Sequence, residues 1–212
     1  MKTLQEIGLR HGTDKSRNQH KGITYLQLYE KYLVNKREYK LKLLEIGVLE
    51  GSSVRAFEEF LPNSKIIGLD IDPRCKVNER GRVEIVIGSQ DSKQIRDDIK
   101  KRHGEFDLIL DDASHVNQLT LKSFELYWPL VKDNGIYIIE DLPGCWTDMT
   151  KYNIMQTHPG MKYNLPGIEL NNEKCSINDF ILKHVLDLQL SEPTDIYNIE
   201  FYRGSMIFTK KI

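Results

Sequence analysis

LLEIGVLEGSS, residues 43–53, decides the fold. A short apolar run ends in a turn holding Gly47 and Gly51, and SSVRAFEEFL (52–61) then carries Val54, Phe57 and Leu61 at helical spacing. Strand, glycine turn, helix is the opening unit of an α/β sheet. Further along, KIIGLD (65–70), VEIVIG (83–88), FDLILD (106–111) and GIYIIED (135–141) read as strands. SKQIRDDIKKR and VNQLTLKSFELYWPLVK alternate with them as helices, the second at least up to Pro129. Oily strands alternating with helices predict a mostly parallel sheet covered on both faces. The last piece, NIEFYRGSMIFTKK, breaks the pattern: two runs flank Arg203-Gly204, which predicts an antiparallel hairpin. The expected fold is a Rossmann-like, doubly wound, seven-stranded sheet closed by a C-terminal antiparallel hairpin.

Length and charge narrow the function. The 212 residues are most simply one domain, with 30 basic against 31 acidic side chains and a formal charge of −1. That balance gives no support for a nucleic-acid or anionic-membrane partner. Cys75, Cys145 and Cys175 are odd in number and form no CxxC pair, so a reduced compartment is expected. MKTLQEIGLRHGTDK has no apolar core of signal-peptide length, and no later run would span a bilayer, which makes a soluble cytoplasmic protein the expectation. Two segments lie outside the alternating core. Residues 1–40, with TYLQLYEKYL after HGTDKSRNQH, are expected to form a helical cap. Residues 142–175 have no strong period and read as a substrate loop or lid, followed by a helix, INDFILKHVLDLQL (177–190).

The first turn suggests a ligand. Glycine at 47 and 51 lets backbone approach closely, and the helix start at Ser52 offers free N–H groups, although tight packing alone would also explain such a turn. Asp70 ends the second strand about twenty residues on, where a carboxylate accepts from ribose hydroxyls. Glu45 disfavours a pyrophosphate and tolerates a cation, which suits S-adenosylmethionine better than a nicotinamide dinucleotide. Here the chain resembles the class I S-adenosylmethionine-dependent methyltransferases from Lys42 to Ile212. The resemblance brings GSQD (88–91) to the adenine, so Ser89, Gln90 and Asp91 are either cofactor contacts or turn caps.

The strongest signal is paired acids at two strand ends. Asp111-Asp112 and Glu140-Asp141 would converge in the crevice beyond adjacent strands, where four carboxylates would repel one another and take up protons. A divalent cation relieves that conflict, and all-oxygen ligation suits Mg²⁺, although strand-end caps or lysine partners are the alternative. His115, three residues past Asp112, is placed to accept a proton from an acceptor hydroxyl.

DDASH (111–115) with Glu140-Asp141 resembles the metal-dependent sugar O-methyltransferases of macrolide biosynthesis. That resemblance implies Mg²⁺ on Asp112, Glu140 and Asp141, with Asp112 and His115 catalytic and His115 the base. Asp111 is counted among the cofactor contacts, with Glu45, Gly47, Gly51, Ser52, Asp70, Ser89 and Gln90. GTDK (12–15) and the helix after it resemble a segment that folds over the cofactor, which adds Thr13, Asp14, Lys15, Tyr25 and Tyr29. Ala113 stands where that group has glycine, HKGITY lengthens the histidine-to-tyrosine step, and their large N-terminal region has no counterpart here. The expected activity is Mg²⁺-dependent O-methylation of a sugar hydroxyl in a glycoside or polysaccharide precursor, with a homodimer possible. Competing readings are a phosphate-linked, phenolic or catecholic acceptor, a hydroxylase, a nicotinamide-binding oxidoreductase, or a non-catalytic binding protein.

Overall fold

A computed structural model of the protein describes residues 2–17, 22–142 and 176–212. Seven strands form one sheet in the order β3-β2-β1-β4-β5-β7-β6. They are β1 (Lys42–Ile46), β2 (Lys65–Asp70), β3 (Val83–Ile87), β4 (Phe106–Asp111), β5 (Val131–Ile139), β6 (Ile196–Tyr202) and β7 (Ser205–Lys210). The first five run parallel; β7 pairs antiparallel with both β5 and β6. The winding reverses between β1 and β4, which sets a crevice beyond their carboxyl ends.

The expected fold is therefore observed, with two local differences. Helix α1 (Leu4–His11) falls within the expected N-terminal helical cap, ahead of the one helix the sequence delineates there. Thr3 and Glu6 form a reciprocal capping box, and Gly12 ends the helix in the left-handed conformation at φ +75°. The helix predicted through Pro129 is shorter: α5 (Asn117–Tyr127) passes into a 3₁₀ turn at Trp128–Leu130, and β5 begins at Val131 rather than Gly135. Pro129 lacks the N–H a continuing α-helix needs, and Leu130 and Val131 are fully buried, so the chain enters the sheet early.

Period-two pleating divides the core. On one face, Leu43, Leu108, Leu110, Ile136 and Ile138 pack under α1, α2 (Tyr25–Leu33) and α3 (Ser52–Phe60). On the other, Leu44, Ile109, Tyr137 and Phe208 pack with α4 (Lys93–His103), α5 and α6 (Ser176–Gln189) through Ile99, Phe124 and Ile177. Val54, Phe57 and Leu61, the predicted apolar stripe, are all fully buried. Among the described residues no helix is long and apolar enough to cross a membrane. The 142–175 segment lies outside the described residues except for Leu142, and so do Cys145 and Cys175.

Candidate active site

The β1–α3 turn is shaped by close approach. Gly47 has φ +95°, and a Cβ there would stand 2.1 Å from the backbone oxygen of Asp112. Only glycine lets the first turn pass so near the end of β4. Asp70 binds this turn through its carboxylate: Oδ2 accepts from the N–H groups of Val48 (2.8 Å) and Leu49 (3.0 Å), and Oδ1 accepts from Asp72 N–H (2.8 Å). Gly51 (φ +74°) caps α3 against Asn78, and Ser52 Oγ accepts from Arg55 (3.1 Å). Past β3, Ser89 donates to Asp91, while Gln90 turns inward and its side-chain amide nitrogen has no hydrogen-bond partner among the described residues.

The four acids expected to converge do not all do so. Asp111 occupies the last position of β4 and follows the parity of Ile109, so its side chain enters the α5 face. There it accepts from the Tyr137 hydroxyl at 2.9 Å, beside Ser123. Burial raises its pKa to about 6, against hydrogen bonds that lower it. Asp112 follows the opposite parity, that of Leu108 and Leu110, together with Glu45 on β1 and Glu140 just beyond β5. The expectation that all four face one crevice is corrected at Asp111, because successive residues of a strand point to opposite faces.

Lys15 joins the remaining carboxylates. A short 3₁₀ turn, Asp14–Ser16, is capped by Thr13, and it turns Lys15 inward until only 3% of its surface is exposed. Its ammonium is bonded to Asp112 Oδ2, lies 3.0 Å from Glu140 Oε2, and stands 3.8 Å from Glu45 Oε1. Burial alone would lower the Lys15 pKa. The negative charges of Asp112, Glu140 and Glu45 outweigh it and hold the ammonium well above its usual range. Glu45 has no well-formed hydrogen bond on either oxygen, and burial pushes it up to about 7 against the pull of Lys15. Burial and the Asp112 charge raise Glu140 as well, opposed by Lys15 and Tyr29. Three carboxylates share one ammonium, and the raised pKa values of Glu45 and Glu140 are the response to burial and to that imbalance.

Helix α2 supplies the remaining clamps. The Tyr29 hydroxyl is bonded to Glu140, and the Tyr25 hydroxyl donates to Asp141 Oδ1 (2.8 Å) and contacts the Gly204 carbonyl (3.2 Å). The same carbonyl accepts from Leu142 N–H at 3.0 Å, so the hairpin turn fixes the chain leaving the second acidic pair. Asp141 and His115 both hold left-handed backbone, at φ +50° and +54°. Non-glycine residues in that region are strained and persist where surrounding structure imposes them. The result brings His115 Nε2 to 3.7 Å from Asp112 Oδ1 and 3.9 Å from Asp141 Oδ2. One ligand atom from each of Asp112, His115 and Asp141 lies within 4.8 Å of the others. The two carboxylates offer hard oxygen donors that suit a divalent cation, with the imidazole beside them. Glu140 is adjacent, with both oxygens engaged by Tyr29 and Lys15.

Comparison with known proteins bears on the family. The methyltransferase domain family matches residues 44–142. Mycinamicin VI 2''-O-methyltransferase from Micromonospora griseorubida is 33% identical over 151 residues, covering 68% of this chain and 36% of that protein. 8-Demethyl-8-(2-methoxy-alpha-L-rhamnosyl)-tetracenomycin-C 3'-O-methyltransferase from Streptomyces olivaceus is 30% identical over 151 residues, 68% of this chain and 37% of its own. The MycE methyltransferase from the mycinamycin biosynthetic pathway, solved in complex with Mg and SAH, superposes with a TM-score of 0.77 at 26% identity. That alignment covers 99% of this chain and 55% of MycE. The chain thus spans little more than a third of the length of the curated relatives it matches. Sheet order, glycine turn, acid pairs and these matches place the chain in the class I S-adenosylmethionine-dependent methyltransferase family, where it resembles the sugar O-methyltransferases of macrolide biosynthesis.

Proposed function

We propose that the protein is a divalent-cation-dependent O-methyltransferase that uses S-adenosylmethionine to methylate a sugar hydroxyl, in a glycoside or a polysaccharide precursor. The observation that carries this reading is the meeting of Asp112, His115 and Asp141 at the carboxyl ends of β4 and β5. The relatives' printed activities point the same way: they methylate hydroxyls on macrolide and tetracenomycin sugars. A second solved MycE complex holds Mg, SAH and mycinamycin VI together.

Asp112 and Asp141 would hold Mg²⁺, with Glu140 the third carboxylate once Lys15 gives it up. When bound, S-adenosylmethionine supplies the electrophilic methyl group and Mg²⁺ acidifies the acceptor hydroxyl. His115 accepts the hydroxyl proton at Nε2, and the two flanking carboxylates stabilise the imidazolium that forms. Gly47 and Gly51 shape the turn that receives the cofactor, with Glu45 beneath it and Ser52 opening the helix. Asp70 organises that turn through the Val48 and Leu49 N–H groups, accepts a third from Asp72 in its own turn, and keeps lone-pair capacity for ribose hydroxyls. Gln90 offers its unpartnered amide donor at the adenine end. Tyr25, Tyr29, Thr13 and Lys15 seat the N-terminal helices against the acids.

The test is transfer of labelled methyl from S-adenosylmethionine to a panel of rhamnosides, deoxysugar glycosides and nucleotide sugars, with Mg²⁺ or EDTA. His115→Ala is expected to lower kcat by roughly 10²–10⁴-fold while cofactor affinity, read by calorimetry, stays unchanged. A variant with full turnover would remove His115 from the chemistry. Absence of S-adenosylmethionine binding to the wild-type protein would sink the whole reading.

A further inference from the structure

Lys15 occupies oxygens of two of the carboxylates proposed above to hold a divalent cation. Its ammonium is bonded to Asp112 Oδ2 and lies 3.0 Å from Glu140 Oε2. On its other side, at 3.8 Å, stands Glu45, which has zero exposure and, among the described residues, no well-formed hydrogen bond on either oxygen, with the Ser53 hydroxyl and the Lys15 ammonium as its nearby donors. A buried carboxylate in that condition is strongly unfavourable unless a donor is within reach. Of its two nearby donors Lys15 is the charged one, and it is held just out of contact.

We propose that Lys15 is a two-position counter-ion: in the metal-free protein it neutralises Asp112 and Glu140, and when a divalent cation takes those carboxylates it shifts onto Glu45. This inference rests on the metal reading above but is separable from it. A cation and an ammonium cannot share one carboxylate oxygen without strong repulsion in so dry a setting. Expulsion to solvent is opposed by burial and would leave Glu45 alone. The required displacement is short, from 3.8 Å to a charge-assisted contact near about 2.8 Å, within the freedom of a flexible four-carbon stem. Metal affinity is then set by an exchange of partners rather than by the ligands alone. The exchange also couples the ion to the N-terminal segment, because Lys15 reaches across 97 residues of sequence to Asp112.

The experiment is Mn²⁺ binding without cofactor, read from the electron paramagnetic resonance signal of the free ion. The proteins compared are wild type, Lys15→Met, Glu45→Gln and the double variant, each checked for folding by circular dichroism. Lys15→Met is expected to bind Mn²⁺ at least about tenfold tighter, since no resident cation has to leave. Glu45→Gln is expected to weaken binding severalfold when Lys15 is present, by removing its second position, and to change little in the Lys15→Met background. An equal loss in both backgrounds would mean a simple long-range charge effect and would overturn the proposal. Unchanged affinity in Lys15→Met would overturn it too, while leaving the metal reading standing. No binding by wild type or any variant would defeat the metal reading itself. Should Lys15→Met fail to fold, Lys15→Arg serves: its rigid fork is expected to grip Asp112 and weaken Mn²⁺ binding, and wild-type affinity there would count against the two-position role.

Discussion

Asp111 and Asp112 are neighbours in sequence and opposites in surroundings. Asp111 accepts from the Tyr137 hydroxyl beside that of Ser123, on the face covered by α5. Asp112 faces the N-terminal cap, bonded to an ammonium and within reach of His115. The pleat separates them, and the two faces then solve the same problem by different means. Hydroxyls and a raised pKa suffice where a carboxylate is structural. On the other face a buried ammonium, that of Lys15, pairs with the carboxylate. Buried charge is tolerated on the second face because donors from a distant part of the chain close over it.

Substitution at the two positions tests the contrast most sharply. Asp112→Asn is expected to abolish Mn²⁺ binding detectable by paramagnetic resonance and to lower methyl transfer by on the order of 10³-fold or more. Asp111→Asn, which keeps an acceptor for Tyr137, should retain metal binding within about threefold and lose no more than about 1 kcal/mol in urea unfolding. Comparable losses from both would dissolve the distinction between the faces.

Gly47→Ala probes the approach of the first turn to Asp112. Its φ of +95° and a Cβ at 2.1 Å from the Asp112 backbone oxygen predict a destabilisation of about 2–4 kcal/mol, measured by chemical denaturation. Wild-type stability would show that the turn can move away from β4.

A pH series tests the burial of Glu45 on the second face. The Glu45 pKa rises from 4.5 to about 7 on folding, chiefly through burial. Between those values the folded protein keeps a proton that the unfolded chain has released, so this group's contribution is intact below pH 4.5 and is lost as pH rises through 7. Glu45→Gln should flatten the fall in stability across that window by up to roughly 3 kcal/mol, read by thermal unfolding in matched buffers. An unchanged slope would place the titration elsewhere. Tyr137→Phe should give the smallest effect, about 1 kcal/mol, since Ser123 remains beside Asp111.

Much of this was legible in the chain. Strand–helix alternation, the glycine turn at Gly47 and the runs flanking Arg203-Gly204 led to the mostly parallel seven-stranded sheet and its antiparallel hairpin. The separation of Asp111 from Asp112 was legible as well, through the alternation of Leu108, Leu110 and Asp112 against Ile109 and Asp111, but strand-end acids were grouped by position instead of by face. Helix α1 escaped notice because its apolar positions, Leu4 and Ile7, are few; the Thr3–Glu6 capping pair was the usable signal. The pairing of Lys15 with Asp112 and Glu140 had no local signal, and neither did the contact of Tyr25 with Asp141.

Sequence alone determined what is local and periodic: which segments are strands, which turn requires glycine, and which strand ends carry acids. These follow from backbone sterics and side-chain alternation, which act over a few residues. Tertiary structure decided the charge balance of the site, because Lys15 meets Asp112 and Glu140 across 97 and 125 residues. It also decided the backbone conformation that aims His115 and Asp141 at one another. Electrostatic partners are chosen by proximity in space and by the absence of water around them, and neither quantity is written along the chain.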